Sequence, residues 1–128
     1  MASRPSNRLE QVKQMKIDRN RLYESALYFF EAKDRSIMKL SPTAALSVCN
    51  EATARGLVVA RVEGGMWHSP GFEARLDCIW DGTDPPIEIE EANTNNRRAA
   101  DFVRNESDVH SVFVITAPPI AGWPHKSI

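Results

Sequence analysis

The chain reads as an α+β domain: a small, mainly antiparallel sheet packed by helices in the order helix, strand, strand, helix, strand, with an extra helix in front. Three observations predict this. Residues 72–81 alternate, with Phe72, Ala74, Leu76, Cys78 and Trp80 on one face and Glu73, Arg75, Asp77 and Asp81 on the other, Ile79 excepted. Residues 112–116, Val-Phe-Val-Ile-Thr, form an unbroken apolar run of the kind buried at the centre of a sheet. Between Ser41 and Gly56 stands the punctuation of a helix: a cap at Ser41, Pro42 at the first helical position and a left-handed stop at Gly56.

The remaining elements follow in chain order. With 128 residues, 42% of them hydrophobic, the chain can fill one core. We divide it into an extension, residues 1–37, a body, 38–117, and an irregular tail, 118–128. Residues 1–18 are polar and aperiodic, which predicts a mobile start. From Asn20 to Asp34, Leu22, Ala26, Phe29 and Phe30 recur near helical spacing, extended by Tyr23 and Leu27, so an amphipathic helix is expected near 20–34. Its aromatic stripe would pack on the body or pair with a second copy as a homodimer. In the body, Ala45, Val48, Cys49 and Ala52 give the first helix a small-residue inner face. Leu57 to Glu63 predicts a strand, Gly64-Gly65 a hairpin-type turn, and Pro70-Gly71 the return into 72–81. Ile87 to Glu91 fits a short edge strand or an extended loop. Asn95 or Asn96 would cap the second body helix, which presents Ala99, Phe102 and Val103 and ends near 105–108.

Charge is distributed unevenly. The extension carries eight Lys or Arg against five acids, and residues 38–128 carry eight against twelve. Within 73–91, Glu73, Asp77, Asp81, Asp84, Glu88, Glu90 and Glu91 face a single base, Arg75. Such a segment can hold a metal, meet a basic surface or keep a loop solvated. No apolar run long enough to span a bilayer and no secretory signal pattern occurs, so the expectation is a cytoplasmic protein with no membrane partner. The two cysteines, Cys49 and Cys78, have no zinc spacing and read as buried free thiols.

Catalytic patterns are weak. Asp77, Glu88 and Glu90 have the acid and acid-x-acid spacing with which many nucleases hold Mg²⁺, but Glu90 and Glu91 stand where the water-activating lysine belongs, and the segment would repel phosphate. His68, His110 and His125 belong to no triad or metal pattern and read as surface or turn residues. The preferred reading carries no cofactor and no metal, and a Mg²⁺-dependent nuclease built on Asp77, Glu88 and Glu90 and an interaction module of unknown target stand as its alternatives. What remains is recognition. Carboxylates spaced along a strand and loop, flanked by Trp67 and Trp80, imitate the charge and the flat rings that a nuclease reads in RNA. The position of Trp80 on the apolar face equally suits a core residue.

The order Met38-Lys39-Leu40-Ser41-Pro42, Ala44-Ala45, Val48-Cys49-Asn50-Glu51-Ala52, Gly56-Leu57, Gly64-Gly65, Trp67, Pro70-Gly71-Phe72, Trp80, Pro85, Asn95-Asn96-Arg97 and Phe113 to Thr116 resembles the immunity proteins of the E-five type colicin. The resemblance covers residues 38–117. It implies a non-enzymatic inhibitor that forms a one-to-one complex with a basic toxin ribonuclease domain, of bacteriocin or contact-delivered type, which cuts transfer RNA anticodon loops. The inhibitor would cover that active site with its acidic surface and touch no nucleic acid itself. Trp67, Glu73, Asp77, Trp80, Asp81, Asp84, Glu88, Glu90 and Glu91 are the toxin-binding candidates. Residues 1–37 are extra to the pattern, and 81–94 keep its length while differing in most residues.

Overall fold

A computed structural model describes residues 17–32, 35–68 and 71–122, without the side chains of Phe72, Arg75, Leu76 and Asp77. Its centre is one five-stranded sheet in the order β1-β2-β5-β3-β4, built from β1 (Leu22–Tyr23), β2 (Lys39–Leu40), β3 (Arg61–Trp67), β4 (Phe72–Asp81) and β5 (Val112–Thr116). Every neighbouring pair is antiparallel except β1 with β2. The apolar run 112–116 is central, as expected, and Phe113 and Ile115 are fully buried.

Among the described residues, three α-helices accompany the sheet: α1 (Ala26–Glu31), α2 (Pro42–Glu51) and α3 (Ile89–Glu106). The Ser41 hydroxyl caps α2 by accepting from the Ala44 amide at 3.1 Å. A 3₁₀ turn, Thr53–Arg55, then closes on Gly56 at φ 74°, the left-handed position the sequence assigned to it. Ala44, Ala45, Val48 and Cys49 on α2 and Ala52 at its C-terminal cap, with Ala99, Ala100 and Val103 on α3, enter the same core as Val62, Phe113 and Ile115. Small side chains on both helices let them pack closely against each other.

The extension departs from expectation. Helix does not run from 20 to 34: Leu22 and Tyr23 are extended and pair in parallel with Lys39 and Leu40, and the Ser41 amide donates to the Tyr23 carbonyl at 2.8 Å. Ser25 then starts the shorter α1 by accepting from the Leu27 amide at 3.2 Å. Pairing with β2 and burial of Tyr23 win over local periodicity. Tyr23 and Phe29 are buried in the common core while Leu27 is exposed, so the aromatic face packs on the body. The basic residues here have a structural use, since the Arg21 guanidinium lies 4.5 Å from the Tyr23 ring and 5.3 Å from that of Tyr28. Ile17 also packs against the core, whereas the expectation for residues 1–16 lies outside the described residues.

Two further corrections concern the body. Gly64 and Gly65 lie inside β3 and pair with Phe113 and Val112; they are not a turn. A Cβ at Gly64 would collide with the Cys78 sulfur and come within 3.2 Å of the Phe113 ring, so glycine is there to admit its neighbours. The β3–β4 ladder is also interrupted: pairs run from Arg61↔Asp81 to Glu63↔Ile79, then resume at Gly65↔Ala74, passing over Arg75 to Cys78. The simple alternation read from residues 72–81 is broken at that point.

Candidate functional site: an acidic face at the start of α3

The segment expected to be an edge strand or loop instead initiates a helix. Helix α3 starts at Ile89, with Glu88 as its cap residue and Glu90 and Glu91 in its first turn. Carboxylates there favour the helix because they face the positive end of its dipole, each contributing about 0.3–1 kcal/mol. Asn95 and Asn96 therefore do not cap the helix; both are buried within it. Asn96 Oδ1 accepts from the Val59 amide at 2.8 Å, and its Nδ2 donates to the Leu57 carbonyl and the Thr53 hydroxyl, each at 2.9 Å. Asn95 Nδ2 donates to the Val59 carbonyl at 2.8 Å, while its Oδ1 accepts from the Thr83 amide at 2.8 Å. The pair thus clamps residues 57–59 and the loop after β4 onto α3. Neither role could be read from hydropathy; the available signal was two adjacent polar residues amid the apolar positions of a helix.

That clamp positions the acidic loop. Gly82 fits tightly beneath it, since a Cβ would strike the Val59 carbonyl oxygen and lie 2.7 Å from both Asn95 Oδ1 and Trp80 Cη2. Ile87 donates its amide to the Ile120 carbonyl at 3.1 Å, and Ile120 donates to the Gly56 carbonyl at 2.8 Å. The first residues of the predicted irregular tail are thus part of the body and brace the loop. A cis peptide joins Pro85 to Pro86 in the same stretch.

The predicted site residues separate into two groups. Trp67 and Glu73 lie at the hairpin end of the β3–β4 ladder, where Glu73 Oε1 meets His68 Nε2 at 2.8 Å. Trp80, Asp81, Asp84, Glu88, Glu90 and Glu91 lie at or beyond its other end. Trp80 packs against the core with part of its surface exposed, and Trp67 is likewise half-buried. Asp81 is engaged by Arg61, whose Nε donates to Oδ1 at 2.7 Å and whose Nη2 reaches Oδ2 at 3.4 Å. By contrast, the side chains of Asp84, Glu88, Glu90 and Glu91 are exposed and make no hydrogen bond or ion pair among the described residues. The side chain of Asp77 lies outside the description, so of the acids considered for Mg²⁺ only Glu88 and Glu90 are placed, at the helix start. Residues 81–91 contain five acids and no base. Ile89 is an exposed apolar side chain among them, at 57%, while Ile87 is half-buried, and sequence reasoning missed the exposure of Ile89.

Shallow depressions flank this ridge, one lined by Thr83, Ile87, Glu90, Glu91, Thr94 and Arg98 and the other by Pro86, Ile87, Glu88, Glu91 and Ile120. Both cysteines are buried thiols outside any disulfide, as expected, and burial pushes the Cys49 thiol up to about 12. His110, read as a surface or turn residue, instead follows the turn after α3 with its side chain 13% exposed; His68 is exposed, and His125 lies outside the described residues. No helix among the described residues is long and apolar enough to cross a membrane.

Fold and surface together define an α+β domain with a braced face of exposed carboxylates. The chain belongs to a particular family: residues 38–117 match the Colicin-E5 Imm protein family. It is 59% identical over 109 residues to the immunity protein CdiI of Burkholderia pseudomallei, covering 85% of this chain and all of that protein. It is 36% identical over 80 residues to the colicin-E5 immunity protein of Escherichia coli, covering 62% of this chain and 96% of that one, and equally to the colicin-E5 immunity protein in ColE9. Only residues 118–128 follow the family segment, so the match to CdiI over 109 residues reaches back before Met38. Some of the extension is therefore shared with that relative.

Proposed function

We propose that this chain is an immunity protein that inhibits a toxin ribonuclease by seating the acidic ridge at the start of α3 in the toxin's basic, RNA-binding cleft. The observation that carries the mode of binding is the set Asp84, Glu88, Glu90 and Glu91: exposed, without ion partners among the described residues, and held by a loop braced on both sides and the first turn of α3 that follows it. A braced surface loses little freedom on docking, and unpaired carboxylates gain most from a cationic partner. Ile89 supplies an apolar contact in the middle of the ridge, and Trp80 supports the loop from below. Glu73 and Trp67, at the other end of the ladder, are peripheral in this arrangement. By the resemblance of residues 38–117, the target is a domain that cuts transfer RNA anticodon loops, bound one to one and without catalysis by this chain.

The test is inhibition of an E-five type toxin domain cutting an anticodon stem-loop. Near-stoichiometric protein should stop cleavage, with association that slows as salt rises. In the Glu90→Gln, Glu91→Gln double variant the association rate should fall about tenfold or more at low salt, with a flatter salt dependence. Unchanged rate and salt dependence in that variant would move the contact surface elsewhere, and absence of both binding and inhibition by the unaltered protein would remove the nuclease target.

A further inference from the structure

We propose that Cys78, Glu106 and His110 form a binding site for one divalent cation of Zn²⁺ type, separate from the acidic face. Cys78 lies where the β3–β4 ladder is interrupted, Glu106 ends α3, and His110 follows four residues later, just before β5. Cys78, 28 residues before Glu106, converges on the other two: its Sγ is 3.6 Å from Glu106 Oε1, and His110 Nδ1 is 3.2 Å from the same oxygen. All three ligand atoms lie within 4.8 Å of one another. A tetrahedral zinc with ordinary bond lengths to sulfur, nitrogen and oxygen separates its sulfur and oxygen ligands by about 3.5 Å and its nitrogen and oxygen ligands by about 3.3 Å. These two separations are close to those edges, and the separation of sulfur from the imidazole nitrogen is at most 4.8 Å.

A hydrogen-bonded cluster satisfies the Cys78 thiol, which donates to Glu106 Oε1, but it leaves His110 unaccounted for. His110 Nδ1 is buried with no hydrogen-bond partner, because its approach to Glu106 has ion-pair distance without hydrogen-bond direction. A buried polar nitrogen left in that state is unfavourable, and a metal ligand bond would satisfy it. The backbone holds the geometry in advance, since the His110 amide donates to the Glu106 carbonyl at 2.9 Å. Access is from the Glu106 side, whose side chain is 33% exposed. One thiolate, one carboxylate and one neutral imidazole balance a dication, and water takes the fourth position. Binding displaces the Cys78 thiol proton to solvent. The ion would tie the irregular part of the edge strand to the end of α3.

Titration of the full, metal-free protein with Co²⁺, followed by displacement with Zn²⁺, tests this. The expected result is one equivalent bound, with the visible bands of tetrahedral cobalt and a thiolate charge-transfer band, and a melting temperature raised by Zn²⁺. His110→Gln and Glu106→Gln should each weaken binding at least tenfold, Cys78→Ser should remove the charge-transfer band, and Cys49→Ala and His68→Gln should leave binding intact. Since Cys78 is buried, the His110 and Glu106 variants keep the test decisive should Cys78→Ser not fold. Absence of a thiolate band in the unaltered protein, or binding undiminished in His110→Gln, overturns the proposal.

Discussion

Replacing Asn96 with alanine should be the most damaging single change near the acidic face. The Val59 amide and the Leu57 carbonyl both depend on the Asn96 side chain, which is 2% exposed. Each backbone group left buried without a partner costs about 1–3 kcal/mol, so the loss is on the order of 2–6 kcal/mol. Domains of this size are stable by about 5–15 kcal/mol, so the variant should still fold but with a much lower urea midpoint. Asn95→Ala releases the Val59 carbonyl and the Thr83 amide, and Thr83 is exposed, so water replaces one of the two bonds and the loss should be smaller, about 1–3 kcal/mol. Toxin binding should reverse that order, because only Asn95 holds the acidic loop directly. Equilibrium urea unfolding of both variants, with unchanged slopes, is the assay. A loss below about 1 kcal/mol for Asn96→Ala, or a larger loss for Asn95→Ala, would refute the clamp as the source of the stability.

Two other expectations concern the core. Phe29 is fully buried among body residues, so Phe29→Ala should cost about 3–5 kcal/mol, and a chain started at Met38 should lose cooperative thermal melting; an unchanged melt for the shortened chain would show that the extension is dispensable. Cys49, whose thiol burial moves from 9.0 to about 12, is favoured neutral in the folded state. Its contribution is therefore complete below the unfolded value and declines as pH rises from 9.0 towards about 12, by at most about 1.4 kcal/mol per pH unit. Cys49→Ala should remove that decline, and identical stability profiles for the two proteins from pH 8 to 11 would contradict it.

The parts of the fold with local chemical signatures were legible in the sequence. Ser41, Pro42 and Gly56 delimit the α2 region by capping rules alone, and the apolar run 112–116 announces a central strand without reference to its neighbours. Errors arose where a distant partner decides the conformation. Tyr23 is extended because Lys39 and Leu40 offer it a strand, and Gly64 looks like a turn until Cys78 and Phe113 are seen to crowd it. Glu88 to Glu91 lack hydrophobic periodicity, yet they open a helix because the helix end itself rewards their charge. At the candidate site the acids were evident from composition, but their separation into a ridge and a remote Glu73 follows from the ladder between β3 and β4. Glu106 and His110, four residues apart, gave no signal alone, because Cys78 lies 28 residues before Glu106 and is brought to them only by the fold.

The interruption in β4 also bears on solubility. This strand is the long open edge of the sheet, whereas the opposite edge, β1, is only two residues long. An uninterrupted edge of such length would present a regular row of amides and carbonyls to any passing chain, the usual template for fibrillar stacking. Here the register with β3 shifts between Ala74 and Ile79, an irregularity that bends a strand and its free edge with it, and the acids Glu73 and Asp81 stand at its two ends. Two copies aligned along this edge would find their hydrogen-bonding groups out of step and like charges opposed, so the surface that leaves room for a foreign partner discourages self-templating.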